Sequence, residues 1–228
     1  YNLIVTIGKE PSEAATNLSS TVPVIFACVD DPVSANLVES MEKTGTNATG
    51  SSDFPPCASL VKAIKKILPK AKRIACLYNS KDDFSNKQVK ELKKACEEEK
   101  LTCIDTGVVE EKDIEAKINE LKGTAAGIYL PNDKMITDNM TIISATADRL
   151  KIPLFCNSKD LLPLGALASV TSNYYEIGKK TASSIVAVLF RAEEPSEISV
   201  ILSQEGEFDY SPITSEKLGI EIPDELKN

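Results

Sequence analysis

Short apolar runs recur along the chain at a regular interval. They stand at residues 73–78 (RIACLY), 101–104 (LTCI), 126–130 (AGIYL) and 153–156 (PLFC), 25 to 28 residues from start to start. That interval suits repeated strand–helix units. Amphipathic stretches fill the gaps. Residues 85–100 set Val89, Leu92 and Cys96 on one face, residues 112–122 set Ile114, Ile118 and Leu121, and residues 137–150 set Ile142, Ile143, Ala147 and Leu150. The Lys/Glu runs at 87–100 and 110–122 read as solvated helix faces. Apolar strands alternating with amphipathic helices predict a parallel sheet covered on both faces.

The N-terminal part repeats the rhythm and then departs from it. Residues 3–7 predict a strand, 12–18 a short helix, 22–29 a second strand and 33–41 a helical run. Residues 43–56 (KTGTNATGSSDFPP) are rich in Gly, Thr, Ser and Pro, lack a helical period, and predict a loop or hinge between two lobes. A helix follows over 57–68, with Leu60, Ile64 and Ile67 inward and Pro69 ending it. Later come a strand at 165–170, a helix at 174–191 with Ile177, Ala182, Ile185 and Leu189 inward, a strand at 198–202 and a helical turn at 215–218. The expected fold class is α/β, with two doubly wound parallel-sheet lobes joined by a hinge. The first lobe shows two clear strands, too few for a stable sheet. It is therefore expected to be incomplete unless C-terminal strands or a further N-terminal piece complete it. The opening YNLIVTI is strand-like and carries no signal peptide, as in a mature or truncated start.

Composition narrows the function classes. The chain has 228 residues, 42% apolar and 26% charged, which excludes general disorder. A net charge of −8 without a basic block argues against nucleic acid or anionic lipid as a partner. No apolar run reaches membrane-spanning length. The absence of histidine removes Ser-His-Asp and Cys-His catalysis and the commonest metal ligand. No catalytic set, metal or cofactor is expected. Lys9 and Lys134 are the basic groups near expected strand ends, without an evident partner. The six cysteines make no C-x-x-C pair. Cys28, Cys76 and Cys156 fall in or at the end of apolar runs and read as small buried hydrophobes. Cys96 and Cys103 end a helix and start a strand, so they are candidates to meet; spacing leaves a disulfide there open.

In open parallel sheets, ligands bind beyond the carboxyl ends of the strands. That rule selects Gly8–Ser12, Asp30, Asp31, Asn79, Ser80, Thr106, Gly107, the Pro-Asn-Asp run ending at Asp133, Asn157, Ser158 and Asn173, with Phe54, Tyr78 and Phe84 nearby. Such Asp, Asn, Ser and Thr side chains hydrogen-bond both ammonium and carboxylate, and helix starts at Ser12, Ser80 or Ser85 offer N–H groups to an anion. The set suits a small polar or zwitterionic ligand with an apolar part stacked on a ring. Each choice has a plainer alternative. Asp31 before Pro32 reads equally as a helix cap. Asn79, Ser80, Asn157 and Ser158 read equally as loop and cap residues, Asp133 as part of a turn, Phe54 as a hinge plug, and Tyr174 and Tyr175 as helix packing. Three Asn-x-Ser/Thr triplets, at Asn17, Asn47 and Asn139, fit a glycosylation pattern too short to weigh.

Residues 24–56 (VIFACVDDPVSANLVESMEKTGTNATGSSDFPP), followed by 67–78 (ILPKAKRIACLY), resemble ABC-transporter substrate-binding proteins of the tryptophan/tyrosine-binding type, with the type I periplasmic-binding-protein fold. The likeness continues through 88–93, 126–133 and 165–178 and covers essentially the whole chain. It implies a two-lobed protein with three crossing segments. On that pattern lobe 1 is 1–55 completed by about 172–193, and lobe 2 is 56–171 completed by about 194–228. The family normally opens with a further strand-helix-strand-helix, roughly 60 residues at about 30 per unit. A signal or lipoprotein peptide would precede it. Asp31, Asp133, Ser52 and Asp53 match the family's positions. Asp30 stands in place of Thr or Ser, Phe84 and Lys134 in place of Asn, and Ser158 and Asn173 in place of Asp. These departures rearrange the charge of the expected cleft.

The resemblance implies capture of an amino acid, an aromatic one included, or a similar small polar solute between two lobes, and delivery to an ABC permease. The place of work is extracytoplasmic, periplasmic or lipid-anchored, and no catalysis is involved. Asp31 or Asp133 is expected to hold the ammonium, and the helix start near Ser12 or Ser80 the carboxylate. Two other classes remain open: a ligand-sensing domain of a receptor or regulator, and a thiol- or carboxylate-based isomerase using Cys28 or Cys156, which needs low-pKa thiols.

Overall fold

The computed structural model describes residues 1–19, 21–202 and 206–227. It contains the strand–helix alternation in the order β1 (Ile4–Ile7), α1 (Lys9–Leu18), β2 (Val24–Ala27), β3 (Ala48–Ser52), α2 (Cys57–Ile67), β4 (Arg73–Asn79), α3 (Asp83–Glu98), β5 (Thr102–Val108), α4 (Ile114–Glu120) and β6 (Ile128–Leu130). Then come α5 (Lys134–Asp138), α6 (Met140–Leu150), β7 (Leu154–Cys156), β8 (Ala168–Ser172), α7 (Tyr174–Arg191), β9 (Ile201–Leu202), β10 (Gly206–Tyr210) and α8 (Pro212–Leu218). Two compact units result. One is Tyr1–Phe54 with Ser172–Glu205, the other Pro55–Thr171 with Gly206–Asn228.

The first unit holds a four-stranded parallel sheet in the order β1-β2-β3-β9. One face packs Val24, Phe26 and Ala48 with Leu37, Val38 and Val200, and with Ile4 and Ala15 at its margin. The other face receives α7, whose Thr181 hydroxyl lies 2.6 Å from that of Ser51. On β1, Val5 and Ile7 pair with Ile25 and Ala27 and share their side of the sheet. At this sheet edge they remain 50% and 73% exposed.

The second unit holds a six-stranded sheet in the order β10-β8-β7-β6-β4-β5. The β4–β5, β4–β6, β6–β7 and β7–β8 pairs are parallel. Ala75, Leu77, Ile128, Leu130 and Leu154 face α4, α5 and α6 through Ile114, Ile118, Ile136, Met140 and Ile143. The alternate residues, Ile74, Cys76 and Tyr129 among them, are buried on the opposite side, where the Cys57 thiol of α2 meets the Tyr129 hydroxyl. Helices on both faces make this a doubly wound α/β arrangement.

Several elements differ from those the pattern predicts. Residues 43–56 are not all loop: β3 lies within them, every residue buried. Its residues are small because its neighbours are close. A Cβ on Gly50 would overlap the Phe26 carbonyl, and Thr49 donates to the Ile198 carbonyl at 2.9 Å. Residues 33–41 form turns rather than a helix. Leu37 N–H reaches Pro32 O at 3.0 Å, but Asn36 between them is left-handed, φ 53. The apolar spacing there reports burial of Ala35, Leu37 and Val38, not helix. Helix α1 starts at Lys9, behind Gly8 with φ 85, rather than at Ser12.

Residues 137–150 split at Asn139 into α5 and α6. The buried face of α7 is Ile177, Thr181, Ser184 and Ala187, while Leu189 is exposed, because small side chains let the helix lie close on β3. The C-terminal partition also differs: β9 pairs with β3, which carries the segment after α7 into the first unit instead of the second. Residues 203–205 and 228 of the expected second-lobe segment lie outside the described residues.

Candidate functional site

In the first unit the residues that follow β2 and β3 and those that open α7 bring an acidic group together. Asp30 and Asp31 follow β2, Asp53 and Phe54 follow β3, and Asn173 follows β8 and opens α7. The Ser52 hydroxyl donates to Asp30 O at 2.9 Å and accepts from Phe54 N–H at 3.1 Å. The Ser172 hydroxyl donates to Asp53 O at 3.2 Å. Asp30 Oδ1 accepts from Asp31 N–H at 2.8 Å, and Asp31 Oδ1 accepts from Ser34 N–H at 3.1 Å. Asn173 caps α7 by accepting from Glu176 N–H at 2.9 Å. These contacts fix the backbone and leave the Asp53 carboxylate as the distinctive group.

Asp53 receives a hydrogen bond from the Tyr174 hydroxyl, but its Oδ1 is buried and has no hydrogen-bond partner among the described residues. Burial pushes its carboxyl above the ordinary carboxylate value and the charge of Asp30 adds to the shift, while its own backbone N–H and the Tyr174 hydroxyl hold it back. Burial also raises the Tyr174 hydroxyl, and Asp53 raises it further. Cys28 sits beside them in a left-handed conformation, φ 55. Non-glycine strain of this kind clusters at functional sites. Its thiol is pushed up, by burial first and by Asp53 second. An acceptor of this sort is completed by a cationic donor such as an ammonium.

The second unit treats its polar residues differently. Asp133 is buried and its carboxylate is engaged three ways. Oδ2 accepts from Asn79 N–H and from the Ser85 hydroxyl, both at 2.7 Å, and Oδ1 accepts from Ile136 N–H at 3.2 Å. It joins β4, α3 and α5. Asn157 is likewise occupied, accepting from the Tyr129 hydroxyl and donating to Val170 O, each at 2.6 Å. The Tyr78 ring is buried and its hydroxyl donates to Asp105 at 3.0 Å. Burial and Asp105 push that hydroxyl up to about 12. Asn79, Ser80, Phe84 and Ser158 are only half-buried. Asn79 Oδ1 accepts from Lys81 N–H at 3.0 Å, and the Ser80 hydroxyl donates to Val108 O at 3.1 Å.

Neither expected helix-start anion site has the expected form. Ser12 lies in the second turn of α1, fully buried, donating to Gly8 O at 2.6 Å and bonded to the Thr6 hydroxyl at 2.8 Å. Ser80 lies ahead of α3, whose cap is Asp82, accepting from Ser85 N–H at 2.6 Å. The thiols weighed for catalysis are shifted away from the thiolate. Cys28 is raised, and burial pushes Cys156 up to about 12. Among the described residues no group of three or more Cys, Asp or Glu is placed to hold a metal ion.

The sequence did not single out Cys28 for this site, and Tyr174 read equally as helix packing. Tyr174 follows a cap residue at the carboxyl end of β8, so the strand-end rule would have reached it one residue beyond Asn173. Cys28 is concealed by the apolar run it closes.

Parallel sheets covered by helices on both faces, with acidic and hydroxyl-bearing strand ends, are an α/β architecture of the type I periplasmic-binding-protein kind. Residues 1–228 match the family described as ABC transporter substrate binding protein, and the chain belongs to that family. A curated relative, a "Tyrosine-binding protein" from Clostridioides difficile, is 31% identical over 188 residues, 82% of this chain and 54% of the relative. The chain thus spans about half the length of that curated relative. Among solved structures, an ABC domain in complex with L-Trp from Streptococcus pneumonia is 29% identical. That match covers 99% of this chain and 78% of the other, with a TM-score of 0.72. The ligand-free, open structure of a substrate binding protein with adhesive properties from Clostridium difficile is 31% identical. It covers 97% of this chain and 75% of the other, with a TM-score of 0.85. No helix among the described residues is long and apolar enough to cross a membrane.

Proposed function

We propose that this chain is the solute-binding part of an ABC importer, working outside the cytoplasm. It captures an amino acid or a similar small polar solute and delivers it to a membrane permease, without catalysis. The buried Asp53 oxygen that lacks a partner carries this reading. An α-ammonium donated to it replaces the missing hydrogen bond and compensates the burial of the charge. Asp30, Asp31, Ser52, Phe54, Asn173 and Tyr174 surround that position in sequence and in the fold of the first unit. Asn79, Ser80, Phe84 and Ser158 are the half-buried polar and aromatic residues that the second unit offers. Asp133, Asn157, Ser12 and Tyr78 act through structure rather than by touching the solute.

The relatives support an aromatic amino acid, since one is named for tyrosine and one holds L-Trp. The two compact units are, in this reading, the two lobes of the binder. A thermal-shift series with the amino acids, backed by titration calorimetry, tests it. Tyrosine or tryptophan at 100 times Kd stabilises the chain by about 2.7 kcal/mol, and Asp53→Asn removes most of that gain. A full amino-acid series that produces no shift overturns the proposal.

A further inference from the structure

On the outer edge of the second unit, α3 and β5 are cross-connected twice. Lys93 on α3 pairs with Asp105 on β5 at 2.7 Å. One helical turn further along α3, the Cys96 thiol lies beside the Cys103 thiol, which sits one strand period before Asp105. The register is self-consistent, because a helix returning over the strand that follows it runs antiparallel to it. Moving three residues on along the helix advances about 4.5 Å, and moving two residues back along the strand about 6.6 Å in the same direction. The connection between the two elements is short and closed by Leu101 N–H on Cys96 O at 2.8 Å. Both cysteines are therefore held in place by the backbone around them.

The two thiols differ in chemistry and in access. Cys96 is fully buried, and its thiol is held far up, by the neighbouring Cys103 first and by burial second. Cys103 is half-buried on an edge strand. Its thiol is held below the ordinary value by the neighbouring Cys96 first, with the Lys93 ammonium also favouring the thiolate and burial and Asp105 opposing it. Cys76, the next thiol inward, is fully buried and pushed well up. A partly exposed thiol shifted toward the thiolate, beside a second thiol and a lysine, is the environment in which oxidation is selective.

We infer that Cys96 and Cys103 form a dithiol site that peroxide-class oxidants convert to a reversible disulfide joining α3 to β5. The Cys103 thiolate attacks a peroxide oxygen, the O–O bond breaks, and hydroxide leaves, giving a sulfenic acid. The Cys96 sulfur then forms the S–S bond as the S–O bond breaks, and its proton goes to the departing hydroxide. Two thiols and one hydrogen peroxide become one disulfide and two waters, with two electrons passing to the oxidant. A dithiol reductant reverses the step. The site lies within one unit and does not depend on which solute the chain binds.

The test treats the whole folded chain with hydrogen peroxide, then counts thiols in denaturant and maps peptides by mass spectrometry. Two of the six thiols are lost, the chain is about 2 Da lighter, a peptide pair joined through Cys96 and Cys103 appears, and dithiothreitol restores all six. Cys103→Ser slows peroxide-driven thiol loss by about tenfold or more. In Cys96→Ser the modification stops at a Cys103 sulfenic acid, trapped by dimedone. The inference is overturned if the lost pair includes Cys57 or Cys76, if Cys103 passes to sulfinic acid while Cys96 stays reduced, or if no thiol reacts until the chain unfolds.

Discussion

Replacing Asp133 by Ala removes a carboxylate that three elements share. The side chain is 5% exposed, and each of its three hydrogen bonds ends on a backbone or hydroxyl donor that water does not readily reach. The bond to Ile136 N–H is a helix cap, worth about 1 kcal/mol. The bonds to Asn79 N–H and the Ser85 hydroxyl end on a charged acceptor, worth about 1.5 kcal/mol each at the low end of the range. The expected loss for Asp133→Ala is therefore about 4 kcal/mol, or roughly 8–16 °C in Tm for a chain of this size. Asp133→Asn keeps one acceptor oxygen but turns an amide toward donors, and loses about half as much. Calorimetric unfolding in the presence and absence of tyrosine measures both effects. Stability falls while the Kd of the folded fraction changes less than about threefold. A stable Asp133→Asn protein that has lost its affinity would refute the reasoning, because it would place this carboxylate on the solute. A stability loss below about 1 kcal/mol for Asp133→Ala would refute it from the other side.

Asp53 gives the opposite pattern. Its carboxyl is raised by burial, so the folded chain holds the proton to higher pH than the unfolded chain. The ionised form therefore costs stability. That cost is absent below the ordinary carboxylate value, grows as pH rises toward the raised one, and is complete above it. Asp53→Asn should be at least as stable as the parent at neutral pH and should flatten the stability–pH curve measured by urea unfolding. Its affinity for amino acids should fall. In the parent, calorimetric affinity for an ammonium-bearing solute should weaken as pH drops through the raised Asp53 value, with Asp30, Tyr174 and Cys28 the other titratable groups facing it. Tyr129→Phe deletes the hydroxyl that donates to Asn157 and should cost about 1–2 kcal/mol in chemical denaturation. Gly50→Ala drives a Cβ into the Phe26 carbonyl and should cost about 3 kcal/mol or more, seen as lost near-UV structure or a collapsed Tm.

The α/β alternation of the second unit was legible because its strands carry apolar runs and its helices carry one-sided apolar spacing. Both are local patterns. Strand β3 was not legible, since Ala, Thr, Gly and two Ser residues carry no apolar signal. They are selected by the closeness of the Phe26 backbone and of α7, two neighbours distant in sequence. The turns at 33–41 failed for a related reason. Apolar spacing measures burial, and the left-handed Asn36 lets a non-helical segment bury the same positions. The candidate site was legible as a set of strand ends. Which members still have bonding capacity was not. Asp133 and Asp53 both follow a strand and look alike in sequence, yet one satisfies three donors and the other keeps a buried oxygen without a partner.

By itself, then, the sequence determined the class of architecture, the family likeness, the exclusion of histidine chemistry and the neighbourhood of the strand ends. Periodicity and strand-end position are properties of a one-dimensional pattern. The tertiary structure decided that β9 joins the first sheet, that α7 buries a face of small residues, that the Asp133 carboxylate meets three donors while an Asp53 oxygen is buried without one among the described residues, and that Cys96 meets Cys103. Each of those depends on which distant atoms fill the space beside a side chain. Hydrogen-bond capacity is consumed, or left over, only when those atoms arrive.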